Sequence, residues 1–207
     1  MKRLHILLGI QSLLAVFVSI NRLTDWFTGY VLPNEFLRWV DLNNVIVALI
    51  SMVAGYLLKK TLEYNSPSRE GPAHTAWNLV FIIGVFISAV SYGFHEMGNY
   101  LHFRFCLEDT TSDLCRIVIF NDDEFSHWLF FAGFIMVNAA ILFIQNIFPH
   151  RGEVKGGDVA LLLLNSLFLG LGVMANLGFE EIGLDLYIVA LLAIVSAFLL
   201  WKRGKQP

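Results

Sequence analysis

The sequence predicts an all-α integral membrane protein, a bundle of six transmembrane helices with both termini cytoplasmic and a short interfacial helix after the first. Three observations predict it. The 207 residues are 57% hydrophobic and only 15% charged, with a mean hydropathy of +0.64, too little charge to cover a soluble domain of this size. Six apolar stretches are long enough to cross a bilayer core as helices, and none shows the period-two alternation of a barrel strand. Basic residues are divided unevenly between alternate loops.

The first stretch, 4–20, carries the basic flank of a signal peptide in Lys2 and Arg3. It lacks a small-x-small cleavage pattern and runs into a polar, aromatic segment, so it reads as a retained helix. That segment, 21–44, mixes Trp26, Phe27, Tyr30, Phe36 and Trp39 with Asp25, Glu35, Arg38 and Asp41. Pro33 would open a short amphipathic helix there, lying at the interface where aromatic belts anchor. The second and third stretches, 42–58 and 77–100, flank an inner loop with Pro67, Gly71 and Pro72, the one linker-like tract. The fourth and fifth, 127–147 and 159–179, become antiparallel neighbours across the short loop 149–157. The last, 184–201, follows a tight outer turn at 178–183. Trp77, Trp128 and Trp201 fall at helix ends, and no internal repeat appears, so 1–207 reads as a single domain.

Ten lysines and arginines fall in the inner loops and termini, against Arg22, Arg38, Arg104 and Arg116 on the other side. This places both termini in the cytoplasm, in a plasma or inner membrane. Thirteen of the seventeen acids lie on or just beneath the outer side, so the net charge of −3 hides a polarised molecule. Its basic inner face suits an anionic leaflet, and nothing implies nucleic acid. Cys106 and Cys115 share the outer loop after the third helix. In an oxidising exterior they predict a disulfide, contributing about 3 kcal/mol by closing that loop.

The chemistry-bearing residues converge on the outer half. Ser88, Ser91, His95, Asn99 and His102 follow helical spacings of three and four, giving the third helix one polar face, with Glu96 one step round. Such groups must face the bundle, because unpaired polar atoms in hydrocarbon are costly. The fifth helix offers Asn165, Asn176 and Glu180, with Gly170 and Gly172 to let a neighbour approach. The fourth begins with Asp122 and Asp123, which read as helix caps, followed by Glu124 and His127 in a Glu-x-x-His spacing that suits one metal ion. Asn138 and Gln145 continue along the Glu124 and His127 face. His95 and His102 lie about 10 Å apart along the axis, so one of them joins His127 and Glu124 and the other sits farther out.

The candidate ligands of one divalent metal, zinc or iron, are therefore drawn from His95, His102, His127 and Glu180. Glu96 and Glu124 serve as general bases, and Ser91, Asn99 and Asn176 bind substrate. His5, His74 and His150 lie at the inner interface and carry no such role. The leading function is a metal-dependent membrane hydrolase acting on a lipid-like substrate from the outer leaflet. Ser91-Tyr92-Gly93-Phe94-His95 resembles the Ser-x-x-x-His element of the membrane hydrolase superfamily that contains alkaline ceramidases and adiponectin receptors, and Asp122 or Asp123 echoes its aspartate. That resemblance implies metal-dependent hydrolysis. It covers about five of 207 residues, and the family's His-x-x-x-His pair has no counterpart in the last helix.

Two other classes remain open. Glu96, His95 and His102 would suit a proton- or cation-coupled transporter or channel, although the inner half offers only Asn78, Gln145 and Asn165 as polar lining. A non-catalytic partner or sensor protein would present the disulfide loop and respond to pH near six. Haem between His95 and His127 has no attachment motif to support it.

Overall fold

The computed structural model describes residues 1–64, 71–150, 152–177 and 184–203. Seven α-helices run in order: α1 (Lys2–Leu23), α2 (Trp39–Tyr64), α3 (Pro72–Leu101), α4 (Asp113–Ile119), α5 (Ser126–Ile147), α6 (Gly156–Leu177) and α7 (Leu184–Arg203). A π-helical segment, His102–Cys106, extends α3, and a second, Phe120–Phe125, fuses α4 to α5. Among the described residues, five helical runs are long and apolar enough to cross a membrane: Lys2–Leu23, Trp39–Tyr64, Pro72–Cys106, Asp113–Ile147 and Gly156–Ala175. Leu186–Lys202 of α7 is also apolar. Large apolar side chains point outward along these helices, with Leu13 71% and Phe86 68% exposed. A lipid-facing surface has this pattern, whereas a water-facing one does not.

The helix ends follow local chemistry. Pro72 opens α3 at a position whose amide would have no helical partner, after Gly71 in extended conformation. Ser112 caps α4, its hydroxyl accepting from the Cys115 amide at 3.3 Å, and Asp113 occupies the first turn. Just before it, the Ser112 hydroxyl and the amides of Ser112 and Thr111 hold the Asp109 carboxyl down to about 2. The helical run therefore begins at Asp113 and passes through residues 121–123 without a break. Asp122 and Asp123 are not caps, because no helix starts there.

The segment between α1 and α2 also departs from expectation. Instead of a helix from Pro33, a single 3-10 turn at Asp25–Phe27 is followed by a loop closed by an antiparallel bridge between Tyr30 and Arg38. The Val31 amide donates to Leu37 C=O at 2.8 Å and the Trp39 amide to Gly29 C=O at 2.9 Å. Pro33 forms part of a turn in which the Glu35 amide reaches Leu32 C=O, and the Asn34 side chain takes the Phe36 amide. Glu35 then adopts φ 59°, a left-handed conformation that no α-helix of L-residues propagates. Trp26 (77%) and Phe36 (69%) project outward from this stretch.

Small residues set the closest approach in the bundle. The tightest pair is α3 with α5: a Cβ on Gly133 would stand 2.9 Å from Gly84 C=O and collide with the Ser88 hydroxyl, and one on Gly84 would meet Met136 Cβ at 2.8 Å. Higher on α3, Gly98 packs against the Asp122 backbone, where a Cβ would lie 3.1 Å from Cα. α1 sits between α2 and α6, and Gly172 admits Ala15, whose Cβ a side chain there would reach at 2.7 Å. Gly170, by contrast, faces open space. Such backbone proximity compensates for the lack of a hydrophobic drive between helices in lipid.

Candidate functional site

The polar face of α3 meets a different neighbour at each step. Ser91 donates to Ser126 C=O on α5 at 2.8 Å. Arg22, in the last turn of α1, reaches His95 Nε2 at 3.1 Å. Asn99 accepts from Arg38 at 2.6 Å, and His102 Nδ1 lies 3.1 Å from Asp122 Oδ2. One helical stripe thus ties α1, α2, α5 and the second π segment to α3.

Its central part is a buried line of hydrogen bonds. A guanidinium only donates, so His95 Nε2 accepts from Arg22 and the ring hydrogen sits on Nδ1, aimed at Glu96 Oε1 3.1 Å away. The other Glu96 oxygen accepts from Asn44 at 3.0 Å; Asn44 in turn accepts from Asn21 at 2.8 Å, and Asn21 from Asn43 at 2.9 Å. Glu96, Asn44 and Asn21 are all buried. The carboxylate is therefore fixed from two sides, which orders it for proton transfer. His127 Nδ1 donates to Asp123 C=O at 2.6 Å, and its ring centroid stands 5.2 Å from that of His95.

These groups close one end of a cavity of about 370 Å³ lined by α1, α2, α3, α5 and α6. Arg22, Ser91, Tyr92, His95, Glu96 and His127 form its polar end, while Leu14, Val18, Val47, Met52, Val85, Phe134 and Leu169 supply apolar wall. From Arg22 to Leu8 on α1 the lining covers about 21 Å of helix. The space is amphiphilic: mostly apolar along its length, with polar groups concentrated at one end and Gln11, Ser51 and Asn138 set into the wall farther along.

A second group lies beyond the C-terminal end of α3. His102, Asp122 and Asp123 each offer one ligand atom within 4.8 Å of the others, the one cluster with metal-ligand spacing among the described residues. His102 Nδ1 stands 3.9 Å from Asp123 Oδ1. Asp122 is 1% exposed, and its Oδ1 has no hydrogen-bond partner.

The expected ligands are therefore divided. His102 belongs to the outer group, whereas His95 and His127 face the cavity, and His95 has both ring nitrogens engaged. Seven residues of helix separate His95 from His102, too far for a shared ion. Glu124 is exposed and joins none of these contacts. His127, three residues on, is buried instead, and the π segment Phe120–Phe125 ends between the two. Of the expected substrate-binding residues, Ser91 lines the cavity and Asn99 is engaged with Arg38 outside it. Glu180 lies outside the described residues, as does the side chain of Asn176. The Cys106–Cys115 disulfide is formed.

The sequence reading missed the contribution of α1 and α2. Arg22, Asn21 and Asn44 complete the Glu96 line, and Arg38 makes a bidentate pair with Asp41 at 2.8 and 2.7 Å, both side chains buried. Arg38 also sits over the Phe103 ring at 4.6 Å. The i,i+3 spacing of Arg38, Asp41 and Asn44 was the available signal, a polar face at the start of a span that belongs inside the bundle. The chain matches no family model, no curated protein and no solved structure.

Proposed function

We propose that the chain is a single six-span membrane domain with both termini cytoplasmic, and that its outer half hydrolyses a lipid-like amphiphile with the help of a divalent metal ion. The observation that carries this reading is the Arg22–His95–Glu96–Asn44 line at the more polar end of a mostly apolar cavity. An acyl or prenyl tail fits the apolar length, and its head then rests beside Glu96 and His95. Glu96, held by His95 and Asn44, is the general base, and Arg22 fixes the imidazole that orients it. A bound metal would polarise the scissile group or activate water.

The length of the cavity also favours a second reading, a transporter that loads cation or proton at Glu96. The apolar wall towards Leu58 and Phe81 argues for a tail-binding chamber instead. Both are tested on the full chain in nanodiscs. Ester, amide and phosphoester lipids are offered with and without chelator, and released products are identified by mass spectrometry. The hydrolase reading expects chelator-sensitive turnover that Glu96→Gln abolishes. Absence of turnover, together with Glu96-dependent proton or cation flux in proteoliposomes, overturns it.

A further inference from the structure

We infer that His102, Asp122 and Asp123 form a binding site for one divalent transition-metal ion, with open positions on the outer side. The site lies about two helical turns from the Glu96 end of the cavity and goes beyond the hydrolytic reading above, and direct binding is measured so that its failure is separable from absence of hydrolysis.

The first support is geometry. Ligand atoms around one ion at zinc-type bond lengths stand about 3.0–3.4 Å apart. His102 Nδ1 is 3.1 Å from Asp122 Oδ2 and 3.9 Å from Asp123 Oδ1, so small rotations of side chains alone complete the set. The second support is independent of spacing. Asp122 is 1% exposed, yet its Oδ1 is buried with no hydrogen-bond partner. A carboxylate oxygen shielded from water and given no donor is a costly arrangement for a chain to keep, and a cation in contact with the same carboxylate offsets it.

The backbone holds the two arms for this role. His102 is the first residue of one π segment, and Asp122 and Asp123 lie in the other. Gly98 brings the Asp122 backbone against α3, and the Cys106–Cys115 disulfide ties the arms together between them. Such π segments occur often where a helix must present ligands off its regular face. The donor set of one imidazole nitrogen and two carboxylates suits Zn²⁺, Mn²⁺ or Fe²⁺, and the imidazole disfavours Mg²⁺ and Ca²⁺. Three protein ligands leave room for water or substrate.

The test uses the full chain in nanodiscs, stripped with chelator and titrated with Zn²⁺ or Mn²⁺ by calorimetry and by metal analysis after dialysis. The expected result is one ion per chain, retained against excess Mg²⁺. Asp122→Asn and His102→Gln should each weaken binding at least about tenfold. His95→Gln and Glu124→Gln should leave it unchanged. Should Asp122→Asn fail to fold, His102→Gln, with a side chain on the partly exposed edge, carries the test. Pulsed electron paramagnetic resonance of bound Mn²⁺ adds a spectroscopic arm: an imidazole nitrogen coupling present in the native chain and lost in His102→Gln. No ion on the native chain, or binding indifferent to both substitutions, overturns the assignment. So does a nitrogen coupling that follows His95.

Discussion

Arg22 and His95, 73 positions apart in the chain, meet at 3.1 Å across the interface of α1 and α3. The contact fixes which ring nitrogen of His95 carries hydrogen, and so directs a donor at Glu96. A pair of residues on two helices thereby sets the state of a third group. On the proposed reading, Glu96→Gln lowers turnover by about a hundredfold or more while bound amphiphile is retained. Steady-state kinetics and mass spectrometry of co-purified lipid read the two effects separately. Loss of both together would assign Glu96 a structural role.

Arg22→Gln keeps a donor near His95 but removes the charge. Turnover should fall less than in Glu96→Gln, with the larger part of the change in kcat rather than KM, because the base is misoriented and the tail site is intact. An unchanged kcat would remove Arg22 from the positioning chain.

Arg38 and Asp41 form a buried, bidentate pair. Asp41→Ala leaves a desolvated guanidinium and should destabilise the protein by about 3–5 kcal/mol. A joint replacement by Met at 38 and Leu at 41 should recover most of it. Equilibrium unfolding in mixed detergent provides the measurement, and equal loss in the single and double variants would contradict the pair as the cause.

Gly133→Ala inserts a methyl group against Gly84 C=O and the Ser88 side chain. Prising α3 from α5 should cost about 1–3 kcal/mol. Gly170→Ala meets open space and should be tolerated. Thermal unfolding of the two variants side by side tests the difference.

Asp109 titrates at about 2, below its ordinary 3.8, chiefly through the Ser112 hydroxyl and then the Ser112 and Thr111 amides. A lowered folded value means that the stabilisation is complete above the ordinary carboxylate range and fades as pH falls from about 4 towards 2. Amide exchange at Thr111 and Ser112, taken relative to the intrinsic rate at each pH, should accelerate over that window. In Asp109→Asn the acceleration should vanish; a persistent effect would place its origin elsewhere.

Composition and spacing alone determined the all-helical, apolar character of the chain, the inward polar stripe of α3 and the pairing of Cys106 with Cys115. Each is a local or one-dimensional property: hydropathy over a window, helical periodicity, or two thiols on one short loop. Tertiary structure decided which polar residues meet. Arg22 and Asn44 lie on other helices from Glu96, and no spacing within α3 can reveal them. It also decided the backbone irregularities. Glu124 is exposed while His127 is buried, and two π segments carry His102 and Asp122, which meet at 3.1 Å; a wider turn rotates the later side chains to a new face. A left-handed Glu35 likewise replaced an expected helix with a closed loop. Helix periodicity reports which face a residue shares while the winding stays regular, and only packing determines where the winding changes.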